Sequence, residues 1–361
     1  MYSLKIFNYQ KYQKKLFLMV FCSLASIAIT LVVFLVFFYL LARYFNGPRT
    51  PLAHSMEGKT VIITGGDSSI GFETSKELLE KGARVIFACR DEKKTTKKIE
   101  SITDPEMKKR SIYIHLDLTN YDSIVTFAKT VKETIGKIDI LVNNAGTCFQ
   151  QFTLVDGIEK TLLTNHIGHV ILTSLLIDNF NPKGRIINVS TTKYKRIGQK
   201  ELERFTSETN HNFSLISHSY DWMRVYVMSK LFNILHMVYL SDYINRKNLD
   251  IKAVAIHPGF VQNDFFREIH SLYWSFRQSV MIPFRWCLFK DTKMGAQTHL
   301  HLCYMEYSEL INGGYYRDCH YEQLRPIAKL ENAKRMIEFT KKIIVKNNIV
   351  KNNQEVLGFF N

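Results

Sequence analysis

Apolar and polar positions divide the chain into an N-terminal apolar run and a long stretch of alternation. From Leu16 to Leu41, 26 residues carry no charge, more than the ~20 that cross a hydrocarbon core. The run exceeds a signal-peptide core, and no small-x-small cleavage pattern follows before Arg43-Tyr-Phe-Asn46. It therefore predicts one permanent membrane-spanning helix over 16–42, behind a basic tail at 1–15. A linker at 43–57, broken by Gly47-Pro-Arg-Thr-Pro51, follows. Beyond it, short aliphatic runs alternate with amphipathic stretches. Thr60–Gly65, Ala83–Arg90, Ser111–Leu118, Ile138–Gly146, Arg185–Thr191 and Ile251–Gly259 read as strands, with helical patterns near 72–81, 121–136, 157–180 and 222–247. That alternation predicts an α/β fold, a doubly wound parallel sheet in a single domain over 58–345, with ligands at the strand C-terminal ends. Apolar residues at Leu330, Ala333, Ile337, Phe339 and Ile343 predict a late capping helix. A frayed basic tail is expected at 346–361.

The unusual residues gather at those strand ends. Gly66-Asp-Ser-Ser-Ile-Gly71 joins the first strand to a helix, a turn that aims backbone N–H groups and a helix dipole at a bound phosphate. Tyr226-Val-Met-Ser-Lys230 puts a phenol and an ammonium on one helix face. A neighbouring cation stabilises phenolate, so the pair predicts a Tyr226 pKa pulled below its usual value of about 10 and proton exchange with a carbonyl or alcohol.

With these residues the chain resembles the short-chain dehydrogenase/reductase family, and more narrowly its membrane-anchored retinol dehydrogenase branch. The resemblance spans roughly 56–345. It is carried by Thr64-Gly-Gly-Asp-Ser-Ser-Ile-Gly71, Ala88-Cys-Arg-Asp91, Asp117-Leu118, Asn143-Asn-Ala-Gly146, Asn165-His-Ile-Gly-His169, Tyr226-xxx-Lys230, His257-Pro-Gly259, Gly295-Ala-Gln-Thr298 and Gly313-Gly-Tyr-Tyr-Arg-Asp-Cys319. It implies a Rossmann fold and hydride transfer between NADP(H) and an alcohol/carbonyl pair. Tyr226 would be the acid/base, Lys230 would lower its pKa and hold the nicotinamide ribose, and Asn165 would position a relay water. A hydroxyl from Ser190-Thr191 would orient the substrate. Gly65, Ile70 and Gly71 would line the pyrophosphate site, Asp117 and Leu118 the adenine, and Asn143, Asn144, Ala145 and Gly146 the cofactor edge. Pro258 and Gly259 would pass beside the nicotinamide.

Two positions depart from the family pattern. Ser69 stands where the phosphate loop has its middle Gly, so a Cβ there crowds the cofactor unless the local φ suits it. Thr191 stands where the substrate-orienting Ser belongs. Neighbours along a strand face opposite sides, so Ser190 is not expected to replace it. The second strand ends in Cys89-Arg90. Arg90, not an acid, is therefore placed to meet a ribose 2′-phosphate, favouring NADP(H); Asp91 follows and competes for the ribose.

Formal charge is +15, but no finger spacing, RNP-like aromatics or basic recognition helix accompanies it, so nucleic acid is not the expected partner. A basic surface beside anionic lipid, or plain solubility, accounts for the charge. The six cysteines (22, 89, 148, 287, 303 and 319) lack CxxC spacing, and the twelve histidines lack metal-ligand spacing. Neither a disulfide framework nor a metal site is expected; His166 and His169 read as structural.

Lys5, Lys11, Lys14 and Lys15 precede the span, against Arg43, Arg49 and Lys59 after it. That tally favours a cytosolic N-terminus, while the resemblance implies a cytosolic catalytic domain, with the endoplasmic reticulum as the expected membrane. Asn212-Phe-Ser214 is a glycosylation sequon in an expected loop and would report which side of the membrane it sees, whereas Asn188-Val-Ser190 falls on an expected buried strand and should stay unmodified. Aromatics and Arg over 271–289 suit a substrate-covering segment dipping into the interface, or an ordinary cover. The polar stretch 192–221 has no functional reading. The expected activity is NADP(H)-dependent oxidoreduction of a hydrophobic, retinol/retinal-like alcohol or carbonyl. The alternatives are a sterol or fatty aldehyde, or a catalytically weak nucleotide-binding membrane protein.

Overall fold

The computed structural model describes residues 2–52, 54–208, 213, 217–218, 220–261, 289–350 and 353–360. The expected cover segment up to residue 288, and residues 212 and 214 of the expected sequon, lie outside those residues. Helix α1 (Tyr2–Asn46) has no Gly or Pro to interrupt it and includes the expected N-terminal tail, making it longer than the predicted span. Gly47 ends it with φ +68°, followed by Pro48. Leu16, Phe17, Leu31 and Phe37 are each more than half exposed, so among the described residues the apolar surface of α1 has little cover.

The domain runs β1 (Thr60–Thr64), α2 (Ser69–Glu80), β2 (Arg84–Cys89), α3 (Glu92–Glu100), α4 (Pro105–Lys109), β3 (Ser111–His115), α5 (Tyr121–Thr130) and β4 (Ile138–Asn143). After a two-stranded hairpin, β5 (Leu154–Val155) and β6 (Ile158–Glu159), come α6 (Lys160–Leu162), a π-turn at Leu163–Ile167, and α7 (Gly168–Leu176). Then follow β7 (Phe180–Val189), α8 (Gln199–Glu208), α9 (Trp222–Arg246), β8 (Ile251–His257), α10 (Thr292–Tyr304), β9 (Tyr315–Arg317), β10 (His320–Tyr321), α11 (Leu330–Lys346) and α12 (Gln354–Phe359). The main sheet has the order β10-β9-β8-β7-β4-β1-β2-β3, parallel except for the β9–β10 edge pair.

The aliphatic runs form strands because both faces of the sheet are covered, so alternate side chains enter different cores. Ile62, Ile86, Leu141 and Ile186 pack with Phe127 of α5, Leu172 of α7, Leu231 of α9 and Ile337 of α11. Their neighbours Val61, Phe87, Val142 and Ile187 pack with Leu79 of α2 and Leu300 of α10. Each such buried side chain contributes roughly 1.5–3 kcal/mol. The sheet is thus held from both sides, and its strand C-termini form a rigid rim.

The structure corrects one expectation about the chain's C-terminal end. The last residues are not a frayed tail: α12 is capped by Asn353 and buries Val356 and Phe359. The Phe359 carbonyl accepts from Tyr239 Oη at 2.8 Å. The polar stretch after β7 contains a 3-10 turn at Thr192–Arg196 and then α8. The linker after α1 is also fastened down: Thr50 N donates to Gln297 Oε1 at 3.0 Å, and Thr50 Oγ1 lies 3.1 Å from His301 Nδ1.

Candidate active site

A cleft of about 450 Å³ opens along the C-terminal ends of β1, β2, β4 and β7. At β1 the chain turns tightly because Gly65 takes φ +62°. Ser68 caps α2, its Oγ accepting from Gly71 N at 3.2 Å. A Cβ on Gly71 would stand 2.3 Å from the Gly65 carbonyl, so only glycine allows this loop to fold under the helix. The result is a helix N-terminus lined by Gly65, Ser68, Ser69 and Ile70, facing the cleft, a fit for a phosphate group. Ser69 is the first residue of α2 and is not among the positive-φ residues. Its backbone therefore does not require glycine, which removes one objection raised by the sequence.

Arg90 leaves the end of β2 exposed at the cleft, beside Lys94. Lys94 Nζ reaches Asp67 Oδ2 at 2.6 Å; neither residue was singled out from sequence, because the pair joins the β1–α2 loop to the separate helix α3. Asp91 is the N-cap of α3, its Oδ1 accepting from Lys94 N at 2.9 Å. Asp117 and Leu118 line the cleft beyond β3, and Asp117 Oδ1 accepts from Thr119 N and Oγ1 at 2.9 and 2.7 Å.

Of the Asn-Asn-Ala-Gly run, Asn144, Ala145 and Gly146 line the cleft, whereas Asn143 is buried behind it. Asn143 Nδ2 donates to Asn188 Oδ1 at 2.8 Å and Thr173 Oγ1 at 3.2 Å, tying β4 to β7 and α7. The neighbouring Asn144 and Ala145 backbones both donate to Thr64 Oγ1 at 2.9 Å. Thr64 Oγ1 is also 2.9 Å from His169 Nε2, and His169 Nδ1 is 3.0 Å from the Asn165 carbonyl. A carbonyl only accepts, so Nδ1 carries the proton and Thr64 donates to Nε2. Burial keeps that imidazole neutral, its pKa pushed down to about 4.

Asn165 lies in the π-turn, a local widening of the helix common at functional sites. Its side chain grips Thr147, with Oδ1 accepting from N at 2.8 Å and Nδ2 donating to O at 2.9 Å, and reaches Ser229 Oγ at 3.0 Å. The next helix begins with Gly168, where a Cβ would stand 2.3 Å from the Leu118 carbonyl. That contact locks the Asn165 helix against the strand end beside the cleft.

Tyr226 and Lys230 occupy successive turns of α9, whose N-terminus is capped by Asp221. Lys230 Nζ is buried and donates to the Val189 carbonyl at 3.1 Å. Ser190 Oγ returns a bond to the Lys230 carbonyl at 2.7 Å. Both Tyr226 and Lys230 line the cleft. Burial lowers Lys230 to about 8, while Tyr226 is raised above the usual phenol range by burial and then by the Cys148 thiol. The expected depression of Tyr226 is therefore reversed in the free protein. Spacing placed an ammonium one turn away, but Lys230 does not act on the phenol here, and the cost of removing a phenolate from water sets the direction.

A smaller cavity of about 90 Å³ adjoins the cleft through Ile70, Ser190, Tyr226 and Pro258. It is lined also by Thr191, Lys193, Gly259 and Phe260. Thr191 and Tyr226 thus share a cavity, while Ser190 Oγ is committed to α9. Gly259 takes φ +94° beneath Lys290, whose Nζ meets Asp318 Oδ1 at 2.6 Å. Among the described residues no group of His, Cys, Asp and Glu could hold a metal ion.

Comparison with known proteins agrees with this geometry. Residues 59–200 match the short chain dehydrogenase family. Retinol dehydrogenase 14 of Mus musculus is 31% identical over 318 residues, covering 83% of this chain and 91% of its own. Retinol dehydrogenase 11 of Homo sapiens is 31% identical over 289 residues, covering 78% and 84%. Among solved structures, a short-chain dehydrogenase/reductase of unknown function from Caenorhabditis elegans superposes with a TM-score of 0.57 at 21% identity, over 73% of this chain and 94% of that one. A 3-ketoacyl-(acyl-carrier-protein) reductase from Brucella melitensis gives 0.53 at 20%, over 73% and 97%. With strand order, phosphate loop and Tyr–Lys helix in agreement, the chain belongs to the short-chain dehydrogenase family, in its retinol dehydrogenase-like branch.

Proposed function

We propose that the protein is a membrane-anchored, NADP(H)-dependent oxidoreductase acting on a hydrophobic alcohol/carbonyl pair of the retinol/retinal kind. The observation that carries this reading is the convergence of Tyr226, Lys230 and Thr191 where the phosphate-loop cleft meets a second cavity. A reduced nicotinamide dinucleotide, when bound, supplies the hydride. The β1–α2 loop fits its pyrophosphate, since the N-terminus of α2 lies at the cleft and a Cβ at Gly71 would close the loop. Arg90 favours a 2′-phosphate, and Asp91, occupied as the α3 cap, is turned away from competing for ribose.

Tyr226 gives its proton to the carbonyl oxygen as the carbonyl carbon is reduced. Its raised pKa keeps the phenol protonated at neutral pH, which suits the reducing direction. Thr191 donates to the same oxygen from the other cavity wall, and Lys230, desolvated and anchored on Val189, holds the ribose. Asn165 fixes the floor through Thr147, and its carbonyl, already bonded to His169, has a second lone pair for a relay water.

Helix α1 supports anchoring by the length and exposure of its apolar surface, with a mean hydropathy of 2.8 over an 18-residue stretch. We place the protein as single-pass in the endoplasmic reticulum. The test is NADPH oxidation by the detergent-solubilised full chain over retinal, long-chain aldehydes and ketosteroids, with Tyr226→Phe alongside. Turnover lost at least about a thousandfold in Tyr226→Phe supports the reading; equal turnover in both proteins, or NADPH binding with no turnover at all, overturns it.

A further inference from the structure

The cavity beside Tyr226 contains a charge that a neutral retinoid does not use. Lys193 enters it from the 3-10 turn after β7, alongside Thr191 and Phe260. Its Nζ is half-buried, 4.0 Å from Met223 Sδ of α9. Among the described residues no carboxylate pairs with it, whereas its neighbour Lys195 is paired with Glu322. Burial and then the Arg196 charge hold the ammonium below the usual lysine range, with Cys148 opposing. A desolvated cation without a counter-ion is costly, and the cost is recovered when a ligand brings an anion. The rest of the cavity is apolar or weakly polar, with His257 kept neutral by burial at about 3.

We propose that Lys193 is a specificity-determining residue that selects carbonyl substrates bearing a carboxylate a few atoms from the reacting carbonyl, on an otherwise apolar chain. This deepens the reductase reading and rests on it. The step is R–CO–R′ plus NADPH plus a proton giving R–CHOH–R′ plus NADP⁺. Hydride goes to the carbonyl carbon and the Tyr226 proton to its oxygen, and the carboxylate remains ion-paired with Lys193 throughout. Hydrophobic chain and anion together describe an amphipathic oxo acid, a class that partitions into a membrane surface with its charged end outward.

The experiment is calorimetric titration of the full-length, NADP⁺-loaded protein in non-ionic detergent with a long-chain γ-keto acid and with its methyl ester. NADP⁺ cannot reduce the ketone, so binding is read without turnover. The acid is expected to bind about tenfold more tightly than the ester. Lys193→Met should bring the acid down to the level of the ester, Lys193→Glu should invert the order, and Lys193→Arg should retain the preference. Unfolding midpoints check that each variant folds, and Lys193→Gln replaces Lys193→Met if that one does not. Equal binding of acid and ester by the wild type, or a preference that survives loss of the charge, overturns the proposal. Reduction of both compounds with NADPH is followed separately. Acid preference without turnover sinks the reductase reading and leaves Lys193 as an anion-recognition residue. Turnover with no acid preference does the reverse.

Discussion

Ser190 and Lys230 clasp each other across the end of β7: the Ser190 hydroxyl donates to the Lys230 carbonyl at 2.7 Å, and the Lys230 ammonium donates to Val189 at 3.1 Å. Two adjacent hydroxyls are thereby separated in purpose, and their variants should separate too. Ser190→Ala removes a second, buried bond to a carbonyl that also serves helix α9, a loss of about 0.5–1.5 kcal/mol, and should lower the unfolding midpoint. Thr191→Ala loses only a long capping bond from Lys193 N at 3.4 Å, so it should lower the midpoint slightly, but cut kcat by roughly a hundred- to a thousandfold, as expected for one lost donor to the reacting oxygen. Thermal unfolding and steady-state kinetics on both variants check the assignment; a reversed pattern would make Ser190 the orienting hydroxyl.

Gly71 and Ser69 should respond oppositely to what their loop positions suggest. Gly71→Ala drives a Cβ to 2.3 Å from the Gly65 carbonyl and 2.9 Å from Asn144 Nδ2, so dinucleotide affinity should fall by more than about thirtyfold, near 2 kcal/mol. Ser69→Gly restores the family's residue where helical φ is already met. It should shift affinity by less than about fivefold and lower helix stability by roughly 0.5–1 kcal/mol. Fluorescence titration with NADPH distinguishes the two.

Arg90 is free to meet a phosphate because Asp91 is committed to α3. Arg90→Leu should raise the KM for NADPH about ten- to a hundredfold while moving that for NADH much less, the size of one charge-assisted contact. Lys94, already held by Asp67 at 2.6 Å, leaves a residual NADPH preference. Unchanged cofactor discrimination in the variant would remove Arg90 from the site.

Acid should destabilise this protein early. Burial depresses His169 to about 4, and His236, His257 and His299 to about 3. An unfolded histidine titrates near 6.5, so between those values the unfolded chain binds protons that the folded chain refuses. The histidines' contribution is therefore complete above pH 6.5 and falls as pH drops through it, by about 1.4 kcal/mol per pH unit for each histidine. Midpoints measured from pH 7.5 to 5 should fall steeply below 6.5, and His299→Leu should flatten the slope.

The strands could be read from sequence because each is buried on both faces, which leaves a continuous aliphatic run such as Val61-Ile-Ile63. β9 and β10 were not anticipated: Tyr315–Arg317 and His320–Tyr321 are too short for a pattern and depend on the edge of β8. Helix α12 was missed because its apolar residue Phe359 acquires meaning only against Tyr239 and Tyr243. In the site, motif order located the cleft but not which member of a run faces it, as Asn143 behind the wall shows. Solvation is likewise absent from spacing, which is why Tyr226 titrates in the opposite sense to its expected shift.

The Gly47–Lys290–Asp318 contact joins two ends of the molecule. A Cβ at Gly47 would stand 2.8 Å from the Lys290 ammonium, whose stem covers Gly259 in the Pro258–Gly259 loop. With α1 in a bilayer, as proposed, only a few residues of fastened chain separate headgroups from the cleft. The catalytic domain then has no tether on which to wander, and its mouth keeps a fixed height above the lipid. Substrate would be drawn from a two-dimensional pool, so catalytic rate should follow its mole fraction in the membrane rather than its concentration in water. Diluting the surface with inert lipid at constant bulk substrate should slow such an enzyme, a dependence that a freely swinging domain would largely escape.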